Sequence, residues 1–484
     1  MKKTRIVATV GPASDSKENM KKIVEAGVNV FRLNFSHGTH ESHQKIIDIA
    51  KEVRAEVNRP LGILADLQGP RIRVGNAESF EIEKGEIIFV SDQKPASTHG
   101  DDHSSTRGGT TDEKELIIDS DGVASALQIG ERIMIEDGVI RLKIVERSDN
   151  LVKAEVLNGG TIKPRKGINV PDTKLSFGAV TEKDRTDLEF ALKNEVDFVA
   201  LSFVSNAQEV LETREQMKKI LGRNDSLPQI IVKIEKKEAI DNIDEIIEAT
   251  DVVMVARGDL GTELAESKVI LYQKEIIAKC LHAAKTVIVA TQMLDSMINN
   301  PIPTRAEVSD VTNAVIDHTD AVMLSGESAN GKYPVEAVEM MTKIIEDTEE
   351  SPFDDINEHF DDGEINSDYA SIMHSAHEMA VNARAKAIVL FSESGVSARM
   401  MAHHRPEQLM LVGTHNPKTY QQMSIVWGSR AYLLQQEDRE ELINEIININ
   451  KESGRLASGD KVIVILGRVP EGKDIALTGI RIVE

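Results

Sequence analysis

Residues 5–36 read RIVATVGPASDSKENMKKIVEAGVNVFRLNFS, and they contain one complete repeat of strand, helix and strand. The run that starts at Arg5 is almost continuously apolar, the pattern of a strand buried on both faces. Residues 16–27 then carry apolar side chains at helical spacing, and a second buried-type run begins at Val28. The same apolar signature returns at Leu61 (LGILADLQG), Phe198 (FVALSF), Ile230 (IIVKIE), Val252 (VVMVARGDL), Thr286 (TVIVATQML) and Ala321 (AVMLSGE). Amphipathic segments such as TRAEVSDVTNAVI, residues 304–316, lie between the runs. Eight units of this kind predict an α/β fold, a (β/α)8 TIM barrel with a closed parallel sheet.

The repeat is interrupted once. Between Gly75 and about Pro171 the sequence alternates polar and apolar residues between turn signals, as in EDGVIRLKIVERSDNLVKAEV, residues 136–156. This predicts an all-β lid domain inserted after the third barrel strand. Within it, residues 98–113 are almost devoid of apolar side chains and read as a mobile loop. His99, Asp101 and His103 in that loop are weighed as a metal cluster and set aside, because no second ligand pair stands at a diagnostic spacing. An acidic stretch at residues 346–364 marks a further boundary, and five strand patterns follow it: AKAIVLFS, QLMLVGT, AYLLQQ, KVIVILG and LTGIRIV. The expected division is therefore 1–70 with 171–345 as the barrel, 71–170 as the lid, and 346–484 as a C-terminal α/β domain.

Composition narrows the function. The chain has 484 residues, and Lys+Arg 57 against Asp+Glu 80 gives 57 − 80 = −23, a charge that disfavours nucleic acid and anionic membranes as partners. Hydrophobic residues at 40% and charged residues at 28% fit a packed soluble protein rather than a disordered one. Cys280 is the single cysteine, so no intramolecular disulfide can form, and the start MKKTRIVATVGP lacks an apolar run of signal-peptide length. A cytoplasmic protein is expected.

Barrel enzymes carry their chemistry where strands end, at the carboxyl face. The runs here end in Arg32, Asn34, Ser36 and His37; in Asp66; in Lys233 and Glu235; in Arg257 and Asp259; in Thr291; and in Ser325 and Glu327. Residues two apart on a strand share a face, so Lys233 points with Glu235, and Arg32 with Asn34 and Ser36. A lysine inside VKIE is costly to bury alone, which requires either a functional role or a compensating carboxylate. Glu235 and Asp259, from adjacent strands, suit a hard divalent ion that also binds phosphate oxygens. The glycine in ARGDLG opens a backbone N–H site for a carboxylate or phosphate.

The segments ATVGPAS, FRLNFSHG, DLQGPRIRVG, KGINVPD, VKIE, VARGDLG, ATQMLDSM, PTRAEVSDVTNAV and LSGESANGKYP occur in one order along the chain. With them the chain resembles the pyruvate kinase family over essentially its whole length. The resemblance implies phosphoryl transfer from phosphoenolpyruvate to ADP, giving pyruvate and ATP, usually by a homotetramer. It implies that Lys233 stabilises the transferring group, that Glu235 and Asp259 bind Mg2+ or Mn2+, and that Arg32 grips the phosphoryl group. Gly258, Asp259 and Thr291 would hold the substrate carboxylate, and Asn34, His37, Arg73 and Lys166 would face the nucleotide. Thr291, reaching Ser325 and Glu327 through water, would lie on the protonation path. Two alternatives of other kinds are a metabolite sensor that lost catalysis and another barrel enzyme acting on phosphoenolpyruvate. The intact Lys233, Glu235, Asp259 and Thr291 set disfavours the first, and the lid with Arg73 and Lys166 disfavours the second.

One motif departs from the common family pattern. After the third strand potassium-dependent members read Asp-Thr-Lys-Gly-Pro-Glu, where this chain has Asp66, Leu67, Gln68, Gly69, Pro70 and Arg71. The resemblance is to the potassium-independent bacterial subgroup, and the Arg71 guanidinium would replace the monovalent ion otherwise held by Asn34, Ser36, Asp66 and Leu67. K+ is then not required. In the C-terminal domain SESGVSAR places Ser392, Ser394, Gly395 and Ser397 where the family holds an effector phosphate, with a sugar phosphate or nucleotide monophosphate as the expected allosteric effector. The segment through Arg468, Lys473 and Thr478 is a candidate flap over it. Cys280 is read as packing, Trp427 as an anchor at a helix end with an effector-site role left open, and His403 and His404 as a helix terminus rather than a metal site.

Overall fold

The computed structural model describes residues 2–92, 114–136, 138–148, 151–175, 178–354, 368–436, 438–466 and 477–484. Eight parallel strands close on themselves: β1 (Arg5–Thr9), β2 (Val30–Asn34), β3 (Gly62–Asp66), β4 (Phe198–Leu201), β5 (Gln229–Ile234), β6 (Val252–Ala256), β7 (Thr286–Ala290) and β8 (Ala321–Leu324). β1 pairs with β8 and every other strand pairs with its sequence neighbour, the connectivity of a (β/α)8 barrel. Alternate residues fill its interior, among them Val30, Leu64, Phe198, Ile231, Met254 and Ile288. The others face the helical ring, so both strand faces are apolar.

The insertion leaves after β3 and returns before the helix Glu182–Lys193. It is a seven-stranded mixed sheet around its own core of Ile88, Leu116, Ile133, Leu142 and Val156, with a separate two-stranded ladder. Strand Ile140–Ser148 alternates buried and exposed along most of its length, as one face against a core and one against water demands. Asp184 clasps the two crossings: Oδ1 accepts from the Gly69 amide at 3.1 Å on the outgoing chain, and Oδ2 from Thr181 Oγ1 at 2.6 Å on the returning one.

After the helix Pro334–Glu349 and the segment 355–367, which lies outside the described residues, a five-stranded sheet forms the C-terminal domain. Its strands are β9 (Ala387–Phe391), β10 (Leu409–Thr414), β11 (Ser429–Leu433), β12 (Lys461–Leu466) and β13 (Leu477–Ile482). They run in the order β11, β10, β9, β12, β13, with only β13 antiparallel. The loop bearing His99, Asp101 and His103, and the residues Arg468 and Lys473, lie outside the described residues; Thr478 lies in β13.

This domain closes the floor of the barrel. Ile425, fully buried, belongs to the same cluster as the barrel interior. Gly62 makes room for the turn that delivers it: a Cβ there would stand 2.5 Å from Ser424 Oγ. Arg405 crosses the seam to Asp320 at 2.9 Å and to the His318 carbonyl at 2.6 Å, and its guanidinium lies 4.9 Å from the buried Trp427 ring. Cys280 is buried, and burial pushes its thiol far up, so packing is its part. Among the described residues no helix is long and apolar enough to cross a membrane.

Asp197, just before β4 and 1% exposed, joins three layers. Its carboxylate accepts from the Ile63 amide at 2.9 Å, pairs with Arg54 of the helix His40–Glu56, and meets Lys418 of the C-terminal domain at 3.2 Å. Removing one member of such a buried network strands the cations, so Asp197→Ala is expected to lower the unfolding free energy by about 3–5 kcal/mol in a denaturant titration. A loss below about 1 kcal/mol would place the pair among those of surface type.

Candidate active site

The parallel register brings four charged side chains from β2, β3 and β5 to the carboxyl mouth. Asp66, 1% exposed, accepts from Arg32 Nε at 2.7 Å, and Arg32 Nη1 donates to Thr9 Oγ1 at 2.8 Å. Lys233 Nζ lies 3.6 Å from Asp66 Oδ1 and 2.7 Å from Glu235 Oε1. Lys233 is buried, and burial alone would push its ammonium down. Asp66 and Glu235 outweigh that and raise it, so it stays charged. Burial likewise works against the Asp66 carboxylate, but Lys233 and Arg32 hold it below its ordinary value, helped by Arg71 from the exposed start of the lid.

Glu235 is the member left short. Burial pushes its carboxyl up to about 7, and the Lys233 cation offsets only part of this while the Asp259 charge adds to it. Oε2 accepts from the Phe203 amide at 2.7 Å, whereas Oε1 is buried without a hydrogen-bond partner despite its nearness to the ammonium. Asp259, half-buried in the first turn of the helix Arg257–Glu263, faces the cleft between barrel and lid. A buried carboxylate oxygen whose sole partner among the described residues is the Lys233 ammonium, beside a second, cleft-facing carboxylate, fits a hard divalent cation that draws its remaining ligands from water and substrate. Among the described residues no group of three His, Cys, Asp or Glu side chains is spaced to hold a metal by itself.

The opposite wall is built on strain. Thr291 follows β7 with φ 68°, a left-handed conformation costly for a β-branched residue, and its Oγ1 accepts from the Gly258 amide at 2.8 Å. Arg257, polar end of the sixth run, does not enter the mouth. It turns back to the Thr291 carbonyl at 2.7 Å and to Asp310 at 2.6 Å, and so braces the strained turn. Glu327, 1% exposed, uses both oxygens on backbone amides, Ser325 at 2.7 Å and Leu294 at 3.1 Å. Glu327 thereby ties the chain after β7 to the chain after β8.

The cleft holds about 480 Å³ and is lined by Arg71, Arg73, Lys166, Lys236 and Asp259. Arg73 is anchored to the Arg165 carbonyl at 3.0 Å, and Lys166 pairs with Glu136 at 2.5 Å. Asn34 is half-buried and accepts from the Ser36 amide at 3.1 Å; His37 is exposed on the turn that follows. Leu67 is buried, and its carbonyl accepts from Ser202 Oγ at 2.7 Å, the same oxygen that receives Lys233 at 2.9 Å. Ser202 is absent from the strand-end candidates drawn from the sequence, although it ends the fourth run as plainly as Asp66 ends the third.

In the C-terminal domain, Ser392 and Ser397 are buried, Ser394 is exposed, and Gly395, at φ 77°, opens the helix Val396–His403 without a side-chain cap. Arg399 packs beneath that turn, its Nη1 buried without a hydrogen-bond partner and 3.0 Å from where a Gly395 Cβ would stand. His403 ends the helix and His404 caps it.

Two family models match this chain: that of the pyruvate kinase barrel domain over residues 1–338, and that of the pyruvate kinase alpha/beta domain over residues 370–477. Pyruvate kinases of Staphylococcus aureus strains MRSA252, USA300 and NCTC 8325 are each 39% identical to it over 483 residues, which is 98% of this chain and 79% of each relative.

A cation at Glu235 would drive the proton off a carboxyl poised near 7. Adding Mn2+ to chelator-treated protein in weak buffer is expected to release protons at a pH of about 6.5 and hardly any at about 8.5, with the release abolished in Glu235→Gln. Equal release by that variant would move the metal elsewhere.

Proposed function

The chain belongs to the pyruvate kinase family, and from that premise we propose how its residues share the reaction. The enzyme transfers the phosphoryl group of phosphoenolpyruvate to ADP, forming pyruvate and ATP. The family uses a divalent metal, which when bound neutralises phosphoryl and enolate oxygens. Glu235 and Asp259 would hold it, as Mg2+ or Mn2+.

The observation that carries the reading is a buried lysine kept charged at the mouth. As an oxygen of ADP bonds to phosphorus, the bond from phosphorus to the enol oxygen breaks, and that oxygen takes the electron pair. Catalysis of such a transfer is mostly positioning and charge neutralisation. Lys233 offers a fixed cation to the oxygens that gain charge, in a site screened from water, and Arg32 offers a second from β2. The Gly258 and Asp259 backbone with Thr291 receives the substrate carboxylate, and its place across from Lys233 orients the methylene carbon for the proton that completes pyruvate. Arg73 and Lys166, on the lid side of the cleft, with Asn34 and His37 at the barrel rim, take the nucleotide. Closure of the lid over them excludes water.

Arg71 supports independence from potassium. Its charge helps hold Asp66 ionised, the electrostatic part that a monovalent ion beside Asn34, Ser36, Asp66 and Leu67 would otherwise play. Ser392, Ser394, Gly395 and Ser397 form the proposed site for an effector phosphate, supported by the uncapped helix start and by the half-buried Arg399 beneath it, whose Nη1 is buried. A cytoplasmic homotetramer, with domain limits at 1–70 plus 171–345, 71–170 and 346–484, completes the proposal.

Lys233→Met is expected to keep its Mn2+ affinity and to lose on the order of 10²-fold or more in turnover of phosphoenolpyruvate with ADP. Near-normal turnover would refute the role of Lys233. Activity in choline salts should equal that in potassium salts within about twofold, and Arg71→Glu should make the enzyme require potassium. Strong potassium stimulation of the unaltered enzyme would discard the role of Arg71.

A further inference from the structure

We propose that Ser202, at the end of β4, is a positioning residue that sets the Lys233 ammonium for phosphoryl transfer and ties it to the outgoing crossing of the lid. The proposal rests on the assignment of Lys233 above.

The hydroxyl is 2% exposed and has both its roles filled in a defined direction. Its proton goes to the Leu67 carbonyl at 2.7 Å, an acceptor that can only accept, so the oxygen lone pairs are left for Lys233 Nζ at 2.9 Å. The two carboxylates near Lys233 constrain it less well. Asp66 Oδ1 stands at 3.6 Å, and Glu235 Oε1, though at 2.7 Å, is out of line for a hydrogen bond. Ser202 Oγ is thus the one aligned acceptor of the ammonium among the described residues, while the carboxylates supply charge. The next residue completes the device: the Phe203 amide donates to Glu235 Oε2 at 2.7 Å, with Phe203 itself at φ 56°. Ser202 and Phe203 therefore hold both functional members of the VKIE segment from the neighbouring strand. A bulky residue is kept in the left-handed region where that amide has to point.

Ser202 also touches the chain on its way into the lid. Gly69, at φ 70°, passes so close that a Cβ on it would stand 2.9 Å from Ser202 Cβ and from the Ser202 carbonyl oxygen. A shift of the crossing displaces the Leu67 carbonyl, the hydroxyl follows it, and Lys233 loses its alignment.

The test is steady-state kinetics of Ser202→Ala, Ser202→Thr, Lys233→Met and the double variant S202A/K233M, with Mn2+ affinity and thermal stability measured beside each. A misplacement of ~1 Å costs on the order of 10²-fold, so Ser202→Ala is expected to lose about 10- to 100-fold in kcat while KM for phosphoenolpyruvate and Mn2+ affinity stay within about twofold. Ser202→Thr, which keeps the hydroxyl, should recover most of the loss, and the double variant should be no slower than Lys233→Met. Should the Ala variant fail to fold, Ser202→Cys, a weak hydrogen-bonding group of similar size, is read the same way. Unchanged kcat in folded Ser202→Ala, or losses that add in the double variant, would overturn the proposal. A Lys233→Met enzyme of normal turnover would instead overturn the assignment on which it rests.

Discussion

Four charges taken out of water at one end of a barrel set the terms for everything around them. Arg32, Asp66, Lys233 and Glu235 alternate in sign and sum to zero, and each is buried. Removing a carboxylate or ammonium from water costs several kcal/mol even after relaxation, and the attraction between partners repays this only when geometry is tight. The parallel register supplies the geometry: β2 pairs with β3 so that Arg32 and Asp66 can meet, and β5 carries Lys233 with Glu235 directly after its end. The repayment is incomplete at Glu235, whose carboxyl is pushed up by burial to about 7. The strained residues Phe203, after β4, and Thr291, after β7, are each held by a polar side chain, Phe203 by Glu235 and Thr291 by Arg257.

Most of this was legible in the sequence, for a physical reason. A strand buried on both faces has to be apolar, so a lysine or aspartate at its end stands out, and Lys233, Glu235, Asp66 and Arg32 were found that way. The barrel and the inserted sheet were equally legible, since their periods differ and the change of period marks the crossing. What stayed hidden were contacts whose partner is backbone. Ser202 is a common residue with no charge, and its importance lies in which carbonyl it faces. Arg257 and Glu327 showed the converse: both sit at strand ends, yet they spend their charge on carbonyls and amides of adjacent loops. A sequence records that a polar group ends a strand but not whether it turns toward the mouth or back into the wall.

The lid shows how a barrel carries an inserted domain without opening its core. Both crossings pass one carboxylate, Asp184, fully buried at the head of a barrel helix, so the chain leaves and returns at a single fixed point. The sheet beyond has its own apolar core and, among the described residues, shares no hydrophobic cluster with the barrel.

The opposite end of the barrel carries a different constraint. Its interior is sealed by Ile425, which comes from the C-terminal domain, and Gly62 is shaped to admit the turn that bears it. On a ribosome the last barrel strand is finished about 100 residues before that isoleucine appears, and at roughly 5–20 residues per second the wait is about 5–20 s. During that interval the nascent barrel has all eight strands and an open apolar floor. Apolar surface at the floor is thus bare for a defined moment of the chain's own synthesis, and a ribosomal pause within residues 325–424 would lengthen its exposure.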